Sequence, residues 1–567
     1  MRVVLAVVHN ITTLTRLCDV LGLFESDFRV QVVATTSGTD PFVHGLAEAV
    51  SDLGIIMISW EQATQTRFDL IVAASHHGHL TELHGKLVIL SHGVGYTKNS
   101  PGARSQEPGA RSQEPGARSQ EPGARSVFGL SAQWLLYDGA PIADALVLSH
   151  EEQLDRLREA VPEAAHTAVV AGDPCFDRMR ASAGLRSRYR ALFGVDDQRV
   201  LVVVSSTWSS GSLVGSWPDL LRRLLAALPM DSYRVAAVVH PNVWHGHGPW
   251  QVRAWLADCL RAGLLLVPEL EGWRAALIAA DCVVGDNGAV TCYGAAIGRP
   301  VLLGAFPERD VAAGSPVDVL GRLAPRLVSG RPLLPQVEAA VAGGRENRFA
   351  SVEELVSSVP DESPKRLRAL FYGMLDLAEP ESEPMLHLIP FEGIPESAVP
   401  RVSAVVASAE VDVPAREVRL VRYAAEVQPT GAAPQDAPGT HLVVHALHPG
   451  RRLRGHADAV FLHEHELGRG EGRPRLLADH PGAAVAAVIG DGRCTLRCRD
   501  GEEVEITSDL PDVDVTAWPS VVVAWLNAGV PLAGLAPSVR VVLGDASIDL
   551  VVRVSPLGEE SVDPGDH

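Results

Sequence analysis

Residues 278–303 constrain the fold more than any other stretch of this chain. They read as strand, glycine-bearing turn, helix and strand. Residues 281–284 form a short apolar run after Asp281, the pattern of a strand buried in a parallel sheet. Asp286-Asn287-Gly288-Ala289 then offers a helix cap and small side chains. A diphosphate oxygen can approach backbone N–H groups there, at the positive end of the helix that follows. Gly298 ends that helix, Arg299-Pro300 turns the chain, and Val301 opens the next strand. A βαβ unit that binds nothing has the same pattern, so function must be argued from the rest of the chain.

The same alternation runs on both sides of this unit. Apolar β-rich runs at 2–8, 28–34, 54–59, 68–74, 86–90, 145–149 and 167–171 predict a doubly wound parallel sheet over residues 1–180. Runs at 199–205, 233–239, 264–267, 281–284 and 301–303 predict a second over 181–378, with the crossing in the basic helical stretch 178–194. The expected class is α/β, with two Rossmann-like halves and a cleft between them, because such sheets hold ligands at the carboxyl ends of their strands. Helix 251–262 is expected to put Trp255 in the core. After the acidic, proline-bearing linker 379–384 the character changes. Runs at 484–489, 494–499 and 503–507 predict a meander, 519–527 a helix, and 539–543 with 548–554 a final hairpin. Residues 385–567 are therefore expected to form a separate α+β module, a possible docking place for a protein partner.

The chain has 567 residues and a formal charge of −20, which argues against nucleic acid as a partner and leaves room for a local basic site. No run of about 18 uncharged apolar residues predicts a transmembrane helix. The apolar start, 1–8, lacks a cleavage site and is expected to be a strand, not a signal peptide. Seven cysteines, an odd number lying mostly in apolar segments, fit a reducing, cytoplasmic compartment. Pro-Gly-Ala-Arg-Ser occurs four times between 101 and 126 with a period of seven. Proline and glycine in every copy exclude a coiled coil, so 100–126 is expected to be a flexible loop; an arginine-bearing lid over a phosphate site is the alternative.

Three candidate positions end predicted strands: His92, His240 and Asp286. A histidine there can take a proton from a sugar or glycerol hydroxyl. Thr207, in a Ser/Gly-rich turn, is a further candidate. His76, His77, His79 and His84 lack a recognisable ligand spacing, so no metal is expected. Cys494 and Cys498 face one side of a strand and are expected in the core, and 463–465 at a solvated strand edge.

In order and spacing these motifs resemble the GT-B clan of sugar-nucleotide enzymes, over residues 1 to about 378. The likeness is to CDP-glycerol glycerophosphotransferases of teichoic acid synthesis, and to non-hydrolysing UDP-N-acetylglucosamine 2-epimerases. Gly172-Asp173-Pro174 with Asp177 and Met179 is similar to a turn of both. Thr207-Trp208 resembles the Thr-Trp of the transferases, and His240-Pro241-Asn242 the His-Pro element of both. Asp286-Asn287-Gly288-Ala289-Val290 with Gly298-Arg299-Pro300-Val301 resembles an epimerase run. His92-Gly93 with Lys98 resembles the transferase element whose histidine is the suspected base. Ser209 stands where the transferases carry arginine, Gly288-Ala289 where they carry hydroxyls, and Cys292-Tyr293 where the epimerases carry carboxylates.

The resemblance implies a cytoplasmic transferase of cell envelope polysaccharide synthesis. It would move a glycosyl or glycerophosphate group from a nucleotide-activated donor to a polyol or glycan acceptor, with no bound cofactor. It implies His92 as base, His240 on the diphosphate, and Thr207, Asp286, Asn287, Gly288, Ala289 and Val290 around the donor phosphates. Gly93, Lys98, Asp177 and Asn242 are expected in the cleft. The alternatives are a non-catalytic nucleotide- or glycan-binding sensor or scaffold, and an epimerase-like isomerase.

Overall fold

The computed structural model describes residues 1–38, 45–100, 126–345, 348–391, 402–428, 439–468, 473–508 and 514–555. The repeats at 101–125 lie outside the described residues. Their flanks are joined: the Ser100 N–H donates to the Ser126 carbonyl at 2.8 Å, and Asn99 bridges Val127.

Seven parallel strands make the first sheet, in the order Ile56–Met57, Val30–Thr36, Arg2–Val8, Arg67–Ala73, His84–Ile89, Ala145–Leu148 and Ala168–Val170. Five make the second: Leu265–Leu266, Tyr233–Val239, Val200–Ser206, Cys282–Gly285 and Val301–Leu303. Both start in the middle and reverse direction beside their first strand, the doubly wound order. Helices cover both faces, so each sheet lies between two apolar clusters. That is why these strands read as continuous Val, Leu, Ile and Ala runs. The expected strand 54–59 shrinks to two residues at the sheet edge.

Two packing features escaped the sequence. Helix Ser363–Leu375, expected with the second half, buries Leu367, Phe371, Tyr372 and Leu375 in the core of the first sheet. Just beyond the expected linker 379–384, the chain packs on the helices of the crossing. Ile389 is buried, its N–H donates to Ser182 Oγ at 3.0 Å, and its carbonyl accepts from Tyr189 Oη at 2.7 Å. Trp255 is a correction: the helix breaks into Pro249–Trp255 and Ala257–Arg261, and Trp255 is half exposed against the His247 ring.

The C-terminal module contains the expected meander, helix and hairpin, but its strands close into a nine-stranded barrel. Antiparallel strands such as Arg493–Cys498 alternate buried and exposed, which puts Cys494 and Cys498 in the core. Thr440–His445, Ala459–His463 and Val485–Gly490 run parallel. Helices Arg451–Gly455 and Arg473–Asp479 connect them across the outside, so these strands are buried on both faces. Helix Trp518–Asn527, buried from Trp518 to Trp525, packs on the inward-facing residues. Buried Arg422 ties the barrel to the second half through Asp231 at 2.5 Å and to Asp514 at 2.6 Å. Among the described residues no helix is long and apolar enough to cross a membrane.

Candidate functional site

The carboxyl ends of the two sheets face each other. Ser91-His92-Gly93 leaves the first sheet after His84–Ile89. Thr207 and Asp286 leave the second at its reversal point, after Val200–Ser206 and Cys282–Gly285. A Cβ on Gly93 would stand 3.2 Å from that of Ala289, so glycine lets the two rims approach. Farther along, Lys98 bridges Val311 and the Ala312 N–H donates to the Thr97 carbonyl at 2.9 Å.

Side chains hold the His92 loop at three carbonyls. Arg16 donates to Gly93 O at 3.1 Å, Gln153 to Gly95 O at 3.4 Å, and Arg156 to Tyr96 O at 2.8 Å. Tyr96 is buried with φ of 53°, a left-handed conformation that a bulky residue keeps only where its surroundings impose it. His92 itself is solvent-exposed. Crowding by the surrounding protein, then the charge of Lys98, push its imidazole down to about 4. It is therefore neutral at pH 7. A neutral imidazole keeps one ring nitrogen as a proton acceptor.

His240 caps helix Pro241–His247, its Nδ1 accepting the Asn242 N–H at 3.1 Å. Burial, then Lys98 and His92, push it down to about 3. A neutral ring whose Nδ1 accepts must carry its proton on Nε2, so His240 offers an N–H donor. Lys98, solvent-exposed overall, completes the group: crowding by the surrounding protein lowers its pKa, against the pull of Asp286 and Asp310.

Asp286 is fully buried and serves the loops themselves. Its Oδ2 accepts from Thr207 N and Oγ1, both at 2.8 Å, and from Leu213 N at 3.0 Å; its Oδ1 accepts from Gly288 N at 3.0 Å. The carboxylate thus shapes the turn. At the N-terminus of helix Ala289–Ala296, Gly288 gives no side-chain cap. The first-turn N–H groups of Ala289, Val290 and Thr291 precede the first helical bond, from Cys292 N to Gly288 O. Asn287 is buried beside them.

Asp177 lies apart from the cleft. It accepts from Asp361 N at 2.8 Å, Ser363 N at 3.0 Å and Ser363 Oγ, and so caps the returning helix Ser363–Leu375. Its neighbour Asp173 sits under the cleft instead, at the centre of a network the sequence did not reveal. Arg16 donates to Asp173 Oδ1 at 2.9 Å and to Tyr293 Oη at 2.8 Å, while Tyr293 Oη donates to Asp173 Oδ2 at 2.7 Å. Arg16 belongs to the first half, Asp173 to the turn just before the crossing, and Tyr293 to the second half. No local pattern announces such a triad.

In the barrel, His445, His463 and Glu466 also converge. His445 Nδ1 accepts the Leu447 N–H at 3.2 Å and its Nε2 donates to Glu466 at 2.8 Å. The His463 side chain accepts a backbone N–H as a helix cap. Rings used this way have no lone pair left over for a metal without changing tautomer.

No family model matches the sequence, and no curated protein matches it. Among solved structures the chain is similar to the wall teichoic acid polymerase TagF, at 10% identity over 66% of this chain and 89% of that one, with a TM-score of 0.43. It is similar to S. aureus MnaA with UDP, at 11% identity over 68% and 100%, TM-score 0.38. It is also similar to Anabaena HepE in complex with UDP and glucose, at 11% identity over 66% and 100%, TM-score 0.37. The strand order itself makes the fold GT-B-like: two doubly wound parallel sheets whose carboxyl ends face each other, followed by a barrel module.

Proposed function

We propose that the protein is a transferase that moves a glycosyl or glycerophosphate group from a nucleotide-activated donor to a hydroxyl of a polyol or glycan. The observation that supports this is the approach of the His92–Lys98 loop to the turn at 288–291, where Gly93 nears Ala289 and Lys98 bridges Val311, with His92, Lys98 and His240 close enough to feel one another's charge. The donor's phosphates rest on the N–H groups of Ala289–Thr291 and on His240 Nε2–H. The Lys98 charge balances the negative charge that grows on the leaving phosphate. The free nitrogen of His92 takes the acceptor's hydroxyl proton as the new bond forms. The Arg16–Asp173–Tyr293 network keeps the two rims in register. The chain's seven free cysteines accord with a cytoplasmic site of action, where activated donors are made.

The test is transfer from labelled CDP-glycerol and UDP-sugars, with thermal shift by each nucleotide. His92→Ala is expected to lose 10²–10⁴-fold in transfer while still being stabilised by the donor, the usual scale for a lost general base. Full activity in that variant would remove His92 from the mechanism.

A second reading, a non-catalytic nucleotide or glycan sensor, is favoured by Gly288-Ala289, which lack hydroxyls, and by the close approach of Gly93 to Ala289. Nucleotide stabilisation without turnover supports it. The epimerase reading needs two free carboxylates, yet Asp286 is saturated and Tyr293 is tied to Asp173 and Arg16.

A further inference from the structure

Residues 97–100 leave the His92 loop as the middle strand of a small antiparallel ribbon. On one side they pair with 126–128 of the first half: Ser100 N donates to Ser126 O at 2.8 Å, and Phe128 N to Lys98 O at 2.9 Å. On the other side they pair with 310–312 of the second half: Asn99 N donates to Asp310 O at 3.0 Å, and Ala312 N to Thr97 O at 2.9 Å. Lys98 stands opposite Val311 in that ladder. The ribbon therefore joins one half to the other, and Lys98 lies at the joint. Val94 of the same loop is buried in an apolar cluster that includes Tyr293 and Val311 of the second half.

Two backbone bonds alone make a weak joint, since a short strand pair is barely stable in water. The Asn99 side chain reinforces it. Its Nδ2 donates to Arg309 O at 3.1 Å and to Val311 O at 2.9 Å, so one amide grips the chain on both sides of Asp310. Both partners are carbonyl oxygens, which fixes the amide with its NH2 toward the second half. A carboxylate has no donor to offer there and a hydroxyl has one. Asn99 takes part in all of these cross-half bonds except the one to Thr97 O. The joint matters for the residue beside it. The Lys98 ammonium lowers the pKa of His92 and of His240 and is itself pulled by Asp286 and Asp310, so it lies among the groups of the cleft. A lysine carries its charge on a flexible four-carbon stem. Where its backbone is held decides where that charge can reach.

We propose that Asn99 is a positioning residue for Lys98: by tying 97–99 to 309–311 it holds the lysine's backbone across the two halves, so that the ammonium faces the leaving phosphate. The inference rests on the transferase reading for what Lys98 does, and on the ladder for how Lys98 is held. Separation of the halves breaks the bonds of Asn99 together and withdraws Lys98 from the second rim.

The test uses the full chain with Asn99→Ala and Asn99→Leu, the second keeping the side chain's approximate shape without its donors. Hydrogen exchange at the 97–99 and 310–312 amides is expected to quicken about tenfold in both, the scale of a lost pair of neutral hydrogen bonds. The chain has three lysines, Lys86, Lys98 and Lys365, so competitive acetylation read by mass spectrometry follows Lys98 by itself. Lys98 is expected to titrate below an ordinary lysine in the wild type and to move back toward the ordinary value in both variants. In transfer assays kcat is expected to fall about 10²-fold, the scale of a misplacement of roughly 1 Å. The donor KM is expected to stay nearly unchanged, because the charge that Lys98 balances grows only in the transition state. Lys98→Ala is expected to lose the same factor, and its combination with Asn99→Ala to lose no more, since one residue acts through the other. Losses that multiply in the double variant, or a Lys98 titration unchanged by both Asn99 variants, would overturn the proposal. Full transfer in Lys98→Ala would instead remove Lys98 from the cleft reading, and leave its placement by Asn99 standing on exchange and acetylation.

Discussion

Removing the Tyr293 hydroxyl tests whether the buried triad joins the two halves. Tyr293→Phe keeps the ring, which packs beside Trp273, and takes away only the oxygen. That oxygen accepts from Arg16 at 2.8 Å and donates to Asp173 at 2.7 Å. All three side chains are nearly inaccessible to solvent. Hydrogen bonds to charged groups contribute about 1.5–3 kcal/mol each, and a buried partner left unpaired loses its full desolvation compensation. Two such bonds set an upper figure of about 6 kcal/mol. Arg16 keeps its 2.9 Å pair with Asp173, and its NH2 already lies 3.5 Å from Asp173 Oδ2 and 3.1 Å from Gly93 O, so part of the loss is recovered. The expected cost is about 3 kcal/mol. Urea unfolding followed by tryptophan fluorescence measures it, with hydrogen exchange at the 93 and 289 rims reporting local opening. A loss under about 1 kcal/mol with unchanged exchange would refute the account, because it would mean that the oxygen is replaceable by water.

Asp286→Asn presents one acceptor oxygen and an NH2 group to four donors, so it should cost about 2 kcal/mol and weaken nucleotide-induced stabilisation, measured by thermal shift. Arg422→Met leaves Asp231 and Asp514 facing each other without their cation; a loss of about 3–5 kcal/mol is expected in urea unfolding, with the barrel released from the second half in limited proteolysis. His76, His92 and His240 have folded pKa values near 3 to 4 against an ordinary 6.5. The unfolded chain therefore binds more protons in that interval, so stability is complete above pH 6.5 and falls as pH drops toward 4. Urea midpoints at pH 7.5 and 5 check the sign. Transfer activity should stay flat down to about pH 5, since His92 remains neutral there.

The two parallel sheets were legible because burial on both faces writes a continuous apolar run for each strand, with turn residues between runs. The turn at 286–290 was legible for a related reason: a helix cap and small residues must follow the strand directly. Barrel closure was not. Pairing Glu417–Ala424 with Ser538–Leu543 joins segments more than a hundred residues apart, and local pattern carries no register information over that distance. The helix Ser363–Leu375 reads as an amphipathic helix from sequence, but which sheet receives its apolar face depends on where the chain returns.

The candidate site divides along the same line. Local sequence marks His92, His240 and Asp286 as polar residues that end strands, since strand ends are set by short-range pattern. Their roles depend on neighbours brought from elsewhere. Asp286 organises loops because Thr207 and Leu213 turn their donors toward it. Asp177 caps a helix that begins nearly two hundred residues later, while Asp173 takes the place beneath the cleft. Tyr293 bonds Arg16 across 277 positions. Residue types and strand order are local properties and are written in the chain. Partners, tautomers and shifted pKa values arise from long-range packing, which only the folded chain supplies.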